Sequence, residues 1–83
     1  MNRELHEGAT YRHFKGGMYQ VLFVALHTET QEELVIYRSL ENGQHFARPK
    51  AMFLSEVDHK KYPEIDQKYR MALIEQDSDE IPS

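Results

Sequence analysis

The sequence predicts a mainly β fold of about five antiparallel strands with one short helical turn. Three observations predict it. Met18 to Leu26 is apolar on both strand faces, as a central strand covered from two sides must be. Val35-Ile36-Tyr37 places β-branched and aromatic residues at the middle of a second run, Glu33 to Leu40. Gly16-Gly17 and Asn42-Gly43 fall between such runs, and both pairs suit the positive φ of hairpin turns.

Each element follows in order. Met1 to Glu7 has no period and reads as a frayed lead-in. Thr10 to Phe14 carries the Thr, Tyr and Phe of a strand, and Lys15-Gly16-Gly17-Met18 turns it tightly into Met18 to Leu26. The next turn, Thr28-Glu29-Thr30-Gln31, has no Gly; its Thr and Glu side chains can hydrogen-bond the turn backbone instead. Asn42-Gly43 then returns Gln44 to Arg48 antiparallel to Glu33 to Leu40. Pro49 ends that strand, because it cannot donate to a ladder, and it suits the start of a helical turn over Lys50 to Ser55. Glu56 to Tyr62 is polar and looped. Pro63 to Ile74 reads two ways. Ile65, Tyr69, Ala72 and Leu73 fit one helix face, whereas Lys68 to Ile74 fits a closing strand. The strand is preferred, since the first strand otherwise keeps an open edge.

With 83 residues and no linker composition, residues 1–83 form a single domain, with an ordered core at about 8–74 and an acidic flexible tail at 75–83. There is no Cys, so no disulfide or thiolate metal site can staple it. The net charge of -4 argues against a general phosphate-backbone binder and disfavours nucleic acid as a partner. No apolar run approaches about 18 residues, and Met1 to Gly8 lacks the apolar stretch of a signal peptide. A soluble cytoplasmic protein without a membrane partner is expected. No Walker or Rossmann glycine loop is present, and His6, His13, His27, His45 and His59 lack metal-motif spacing. Neither a cofactor nor a metal is expected.

The turns so placed would put Tyr11, His13, Gln20, Leu22, Val24, Val35, Tyr37, Ser39, Phe46 and Arg48 on one sheet face. The other would carry Phe14, Tyr19, Val21, Phe23, Ala25, Leu34, Ile36 and Leu40, with Arg12, Arg38, His45 and Ala47. The second is the more apolar and is expected to be the core, with Phe23 beside Ile36. The first mixes aromatic and polar groups, as a binding face does.

Several stretches together carry a family resemblance. They are Tyr11 to Tyr19, Ala25 to Thr30, Val35 to Leu40, and Arg48-Pro49 with Met52-Phe53. Over roughly residues 8 to 74 the chain resembles the bacterial family known as domain of unknown function 1653. The resemblance implies a small, mostly β cytoplasmic domain of SH3-like barrel type; the family name records no established activity, so it supplies no function.

Within this fold, Tyr37 and Arg48 are expected directly opposite each other, stacked as a cation–π pair, with the guanidinium free to grip a carboxylate or phosphate. The simpler reading is a structural stack. His13 and Lys15 flank the Gly-Gly turn, where an anion could bind; the simpler reading is a solvated turn. Tyr11, His13, Lys15, Tyr37 and Arg48 are therefore the candidate ligand-binding set. Met52 and Phe53 would wall that face or plug the barrel end. His27, Thr28, Glu29 and Thr30 form the alternative polar cluster, with His27 and Glu29 as general-base candidates. Its simpler reading is a turn capped by its own side chains. The leading expectation is a non-enzymatic binding module for a peptide, a protein surface or a small anionic ligand. The alternatives are a small hydrolase or transferase using His27 and Glu29, or a single-stranded nucleic-acid binder with Tyr11 and Phe46 stacking bases.

Overall fold

The structure, a computed structural model, describes residues 4–74. Five strands are present: β1 (Thr10–His13), β2 (Met18–Leu26), β3 (Glu33–Ser39), β4 (His45–Pro49) and β5 (Met71–Leu73). A four-residue helix, α1 (Lys50–Phe53), follows β4 directly. All neighbouring strands are antiparallel, in the order β4-β3-β2-β1-β5. The first four make a meander, and β5 returns to cover the free edge of β1, as the closing-strand reading requires. The sheet is open, with β4 and β5 at its edges. The segment from α1 to β5 is tied down by a Glu56–Tyr69 bridge and by the Gln67 amide, which donates to the carbonyl oxygens of Arg12 and Tyr69. No helix among the described residues is long and apolar enough to cross a membrane. The expected tail at 75–83 lies outside the described residues.

Residues 5–8 are tied to the sheet, more firmly than the composition of the lead-in suggests. Leu5 packs against the core, the His6 N–H donates to the Tyr11 hydroxyl (3.1 Å), and the Gly8 N–H donates to the Val21 carbonyl (2.8 Å). The contact with Tyr11 meets a need, because a buried phenol requires a hydrogen-bond partner.

The expected faces are exchanged. The core is Tyr11, Val21, Val35, Tyr37, Phe53 and Met71, whereas Phe23 is 51% exposed. The aromatic face expected to bind is thus mostly interior. Phe53 decides this: α1 drives its ring edge-on against both Tyr11 and Tyr37, with ring centres 5.2 Å apart in each case. Tyr and Phe each bury a large area, so three rings outweigh a run of smaller aliphatic groups.

The registers explain the exchange. A bulge between Val21 and Phe23 breaks the two-residue alternation of β2. Tyr19 and Val21 therefore join the inner face before the bulge, and Phe23 is turned outward after it. Both hairpin turns are also wider than two residues. Tyr11 faces Tyr19, and Thr10 rather than His13 faces Gln20. On the other side Tyr37 faces Phe46, and Arg48 faces Val35 rather than Tyr37. Here the buried Ser39 hydroxyl accepts the Glu41 and Asn42 N–H groups, and the Ser39 N–H reaches the Gln44 carbonyl (2.9 Å). That holds a wider loop than Asn42-Gly43 alone would close. The shift is two residues, so Arg48 keeps its face while losing its partner.

Candidate functional site

The site grows from the end of β1. His13 is the last residue of that strand and, two residues from Tyr11, lies on the inner face at its rim. Its Nδ1 accepts the Lys15 N–H at 3.0 Å, which leaves the ring proton on Nε2. The imidazole stacks on Phe14, with centres 4.9 Å apart, and meets Tyr19 edge-on at 6.5 Å. Burial pushes its pKa below the ordinary 6.5, and the positive charges of Arg48, Arg70 and Lys15 push it further the same way. Both effects favour the neutral imidazole.

Two cavities meet at this residue. The first, of about 340 Å³, is lined by His13 with Lys15, Arg48, Lys61 and Arg70, and by one carboxylate, Asp58. Phe14 and Tyr62 complete it. The second, of about 280 Å³, shares His13, Lys15 and Arg48 and is walled by Tyr19, Tyr37 and Phe46. Among the described residues the one ion pair joins Lys50 to Glu33, so Lys15, Arg48, Lys61 and Arg70 have no carboxylate within salt-bridge distance.

Three of these four cations are held by something other than an acid. The Arg70 Nε donates to the Ser55 hydroxyl (3.2 Å), and its guanidinium lies 6.0 Å from the Phe14 ring centre. The Lys15 ammonium sits 5.2 Å from the Tyr62 ring centre and 5.8 Å from that of Phe14. Lys61 approaches Tyr62 at 5.6 Å. A hydrogen bond from Lys15 and the nearby lysine charges draw the Tyr62 phenol below its ordinary pKa. β5 brings Arg70 here: His13 faces Met71, and the Phe14 N–H donates to the Arg70 carbonyl (3.0 Å).

Of the five expected ligand-binding residues, His13, Lys15 and Arg48 converge on both cavities. Tyr37 is only 5% exposed and contributes a floor to the second. Tyr11 is fully buried under Phe53 and offers no surface to a ligand or a base. Tyr37 and Arg48 are not directly opposite as expected: Tyr37 faces Phe46 and Arg48 faces Val35, which leaves the two diagonal on one face. Phe53 plugs the core, while Met52 is exposed.

Lys61, Tyr62 and Arg70 are the residues that sequence reasoning missed. The closing-strand reading of Lys68 to Ile74 carried a usable signal. A strand added beside β1 must bring its own flanking residues to the His13 end. The loop residues Lys61 and Tyr62 are positioned by hydrogen bonds from their N–H groups to the Asp58 carbonyl (3.1 and 2.9 Å), which no pattern in the chain announces.

The alternative cluster is a self-capped turn. His27 Nδ1 accepts the Glu29 and Thr30 N–H groups at 3.1 and 3.3 Å, and the Thr30 hydroxyl accepts the Glu32 N–H at 3.2 Å. The nitrogen that a general base would use is already engaged. Among the described residues no three His, Cys, Asp or Glu side chains are grouped to hold a metal ion.

Compared with known proteins, residues 9–73 match the family model described as "Protein of unknown function (DUF1653)". No curated protein and no solved structure matches the chain.

Proposed function

We propose that this chain, which belongs to the DUF1653 family of proteins of unknown function, is a binding module for a small anionic ligand held at the Gly16-Gly17 end of the sheet. One observation carries the reading. Four of the chain's ten lysines and arginines line one cavity against a single carboxylate among the described residues, in a protein whose net charge is -4. Gathering like charges opposes folding through their mutual repulsion. An anion bound among them relieves that repulsion, and the partly enclosed walls screen it less than open water does.

The roles follow from the side chains. Arg48 offers a planar fork that fits a carboxylate or phosphate edge. Lys15 and Lys61 act as mobile point charges. Arg70, fixed by Ser55, gives a pre-set donor plane. Neutral His13 adds an Nε2–H donor without adding another charge.

The test is calorimetric titration of inorganic phosphate into the wild type, Arg48→Ala and Arg48→Lys at low ionic strength, with a thermal melt of each. Saturable binding is expected, weakened roughly tenfold by Arg48→Ala, a loss of about 1.4 kcal/mol. Arg48→Lys should recover part of it, because the charge returns without the fork. Both variants should melt at or above the wild-type temperature, since a repelled cation has been removed or loosened. No saturable binding of phosphate by the wild type, or unchanged binding in Arg48→Ala, overturns the reading.

A further inference from the structure

The second cavity extends the first and differs from it in kind. It shares His13, Lys15 and Arg48 with the cation-lined cavity, then continues onto Tyr19, Tyr37 and Phe46. These rings form a mutual cluster, with Tyr37 5.5 Å from Tyr19 and 5.6 Å from Phe46. Phe46 keeps 40% of its surface exposed on the edge strand β4, although its neighbour Tyr37 is buried. An aromatic ring left open beside a pocket of cations is a surface on which a flat group can stack.

We propose that the ligand is a phosphate monoester that also bears a flat ring, with the phosphate among Lys15, Arg48, Lys61 and Arg70 and the ring against Phe46 and Tyr19. The proposal rests on the anion-binding reading and names the class of ligand for that site. Phosphate is favoured over carboxylate by the count of donors. Four cations and the His13 N–H face one acid, which suits a dianion with three free oxygens better than a monoanion with two. The second cavity, of about 280 Å³, has room for one ring system beside the phosphate, as in a mononucleotide or an aryl phosphate.

Five compounds test this: inorganic phosphate, adenosine monophosphate, adenosine, phenyl phosphate and phenol, each titrated calorimetrically into the wild type and Phe46→Ala. At least one ester should bind roughly tenfold or more tightly than inorganic phosphate, the scale of one stacking contact. Adenosine and phenol alone should bind far more weakly than their esters. Tighter adenosine monophosphate than phenyl phosphate assigns the ring to a nucleotide, and the reverse order assigns it to an aryl ester. Phe46→Ala should remove the preference for the ester, with a thermal melt showing that the variant is folded. Phe46→Leu, which keeps an apolar contact without a ring, should lose most of the preference as well. Inorganic phosphate binding as tightly as both esters, or an ester preference that survives Phe46→Ala, overturns this proposal and leaves anion binding standing. Failure of every phosphate compound to bind overturns both.

Discussion

Two turns in this molecule are built alike and placed differently. At the end of β1 the Nδ1 of His13 accepts the N–H of Lys15, two residues on; at the end of β2 the Nδ1 of His27 accepts the N–H of Glu29, also two residues on. Each histidine is a local cap. The difference is what the fold brings to each. Around His13 gather Arg48 from β4, Arg70 from the approach to β5 and Lys61 from the preceding loop, beside two aromatic walls. Around His27 the bonds close within the turn: Thr30 holds Glu32, and the Gln31 N–H returns to the His27 carbonyl (2.9 Å). One capping device thus borders two cavities, and the other is bonded within its own turn. The distinction lies in long-range register, not in the local residues.

The comparison breaks most completely when the core beneath the first turn is removed. Phe53 is fully buried against Tyr11 and Tyr37, so Phe53→Ala should cost about 3–5 kcal/mol. A domain of this size has stability at the lower end of about 5–15 kcal/mol, so this variant should be largely unfolded. Phe23 is half exposed on the outer face, and Phe23→Ala should cost only about 0.5–1 kcal/mol. Urea unfolding of both variants measures the gap. Equal losses would mean that the outer face is as well packed as the inner one.

A smaller effect separates the backbones of the two turns. Gly17 has φ 94°, and a Cβ there would lie 3.1 Å from the Tyr19 ring. Gly17→Ala should cost about 1–2 kcal/mol for the left-handed backbone, with more from displacing the ring. The second turn puts Gln31 at φ 67°, where no glycine is present. Gln31→Gly should relieve that strain and stabilise by about 0.5 kcal/mol, after the extra chain entropy of glycine is set against it. Opposite signs in thermal melts are the expected result. Destabilisation by both substitutions would show that Gln31 is held by contacts that outweigh its backbone strain.

The sequence was readable where the rules are local. The five strands, the wide Thr28 to Gln31 turn and the helical turn after Pro49 follow from propensity, period and proline. The strand after Lys68 followed from the need to cover β1. The faces were not readable, because one bulge inverts the alternation of β2 and nothing in Val21-Leu22-Phe23 marks it. The site was half readable. His13, Lys15 and Arg48 are named by chemistry near turns and strand ends, and a two-residue shift in β4 leaves Arg48 on the same face. Arg70 comes with the strand that closes on β1, so that reading implied its place, whereas Lys61 reaches the site from a loop that no pattern encodes.

The finest contrast is in protons. The His13 pKa is lowered first by burial and then by Arg48, Arg70 and Lys15. Lys61 and the single acid Asp58 face the same cavity. A base whose folded pKa lies below its unfolded value binds fewer protons when folded. Its contribution to stability is therefore complete above the unfolded value of about 6.5, and it declines as pH falls from there toward the folded value. The urea-unfolding free energy of the wild type should accordingly fall between pH 7 and 5. His13→Asn should flatten that slope, because Asn can still cap the Lys15 N–H but has no proton to gain. Arg48→Ala should reduce the slope without abolishing it, since burial is the larger cause and remains. Saturating phosphate should reduce it in the wild type, because a bound anion offsets the cations that disfavour protonated His13. The same slope in the wild type and His13→Asn would show that acid sensitivity in this range arises elsewhere, and that the cations around His13 do not govern its charge.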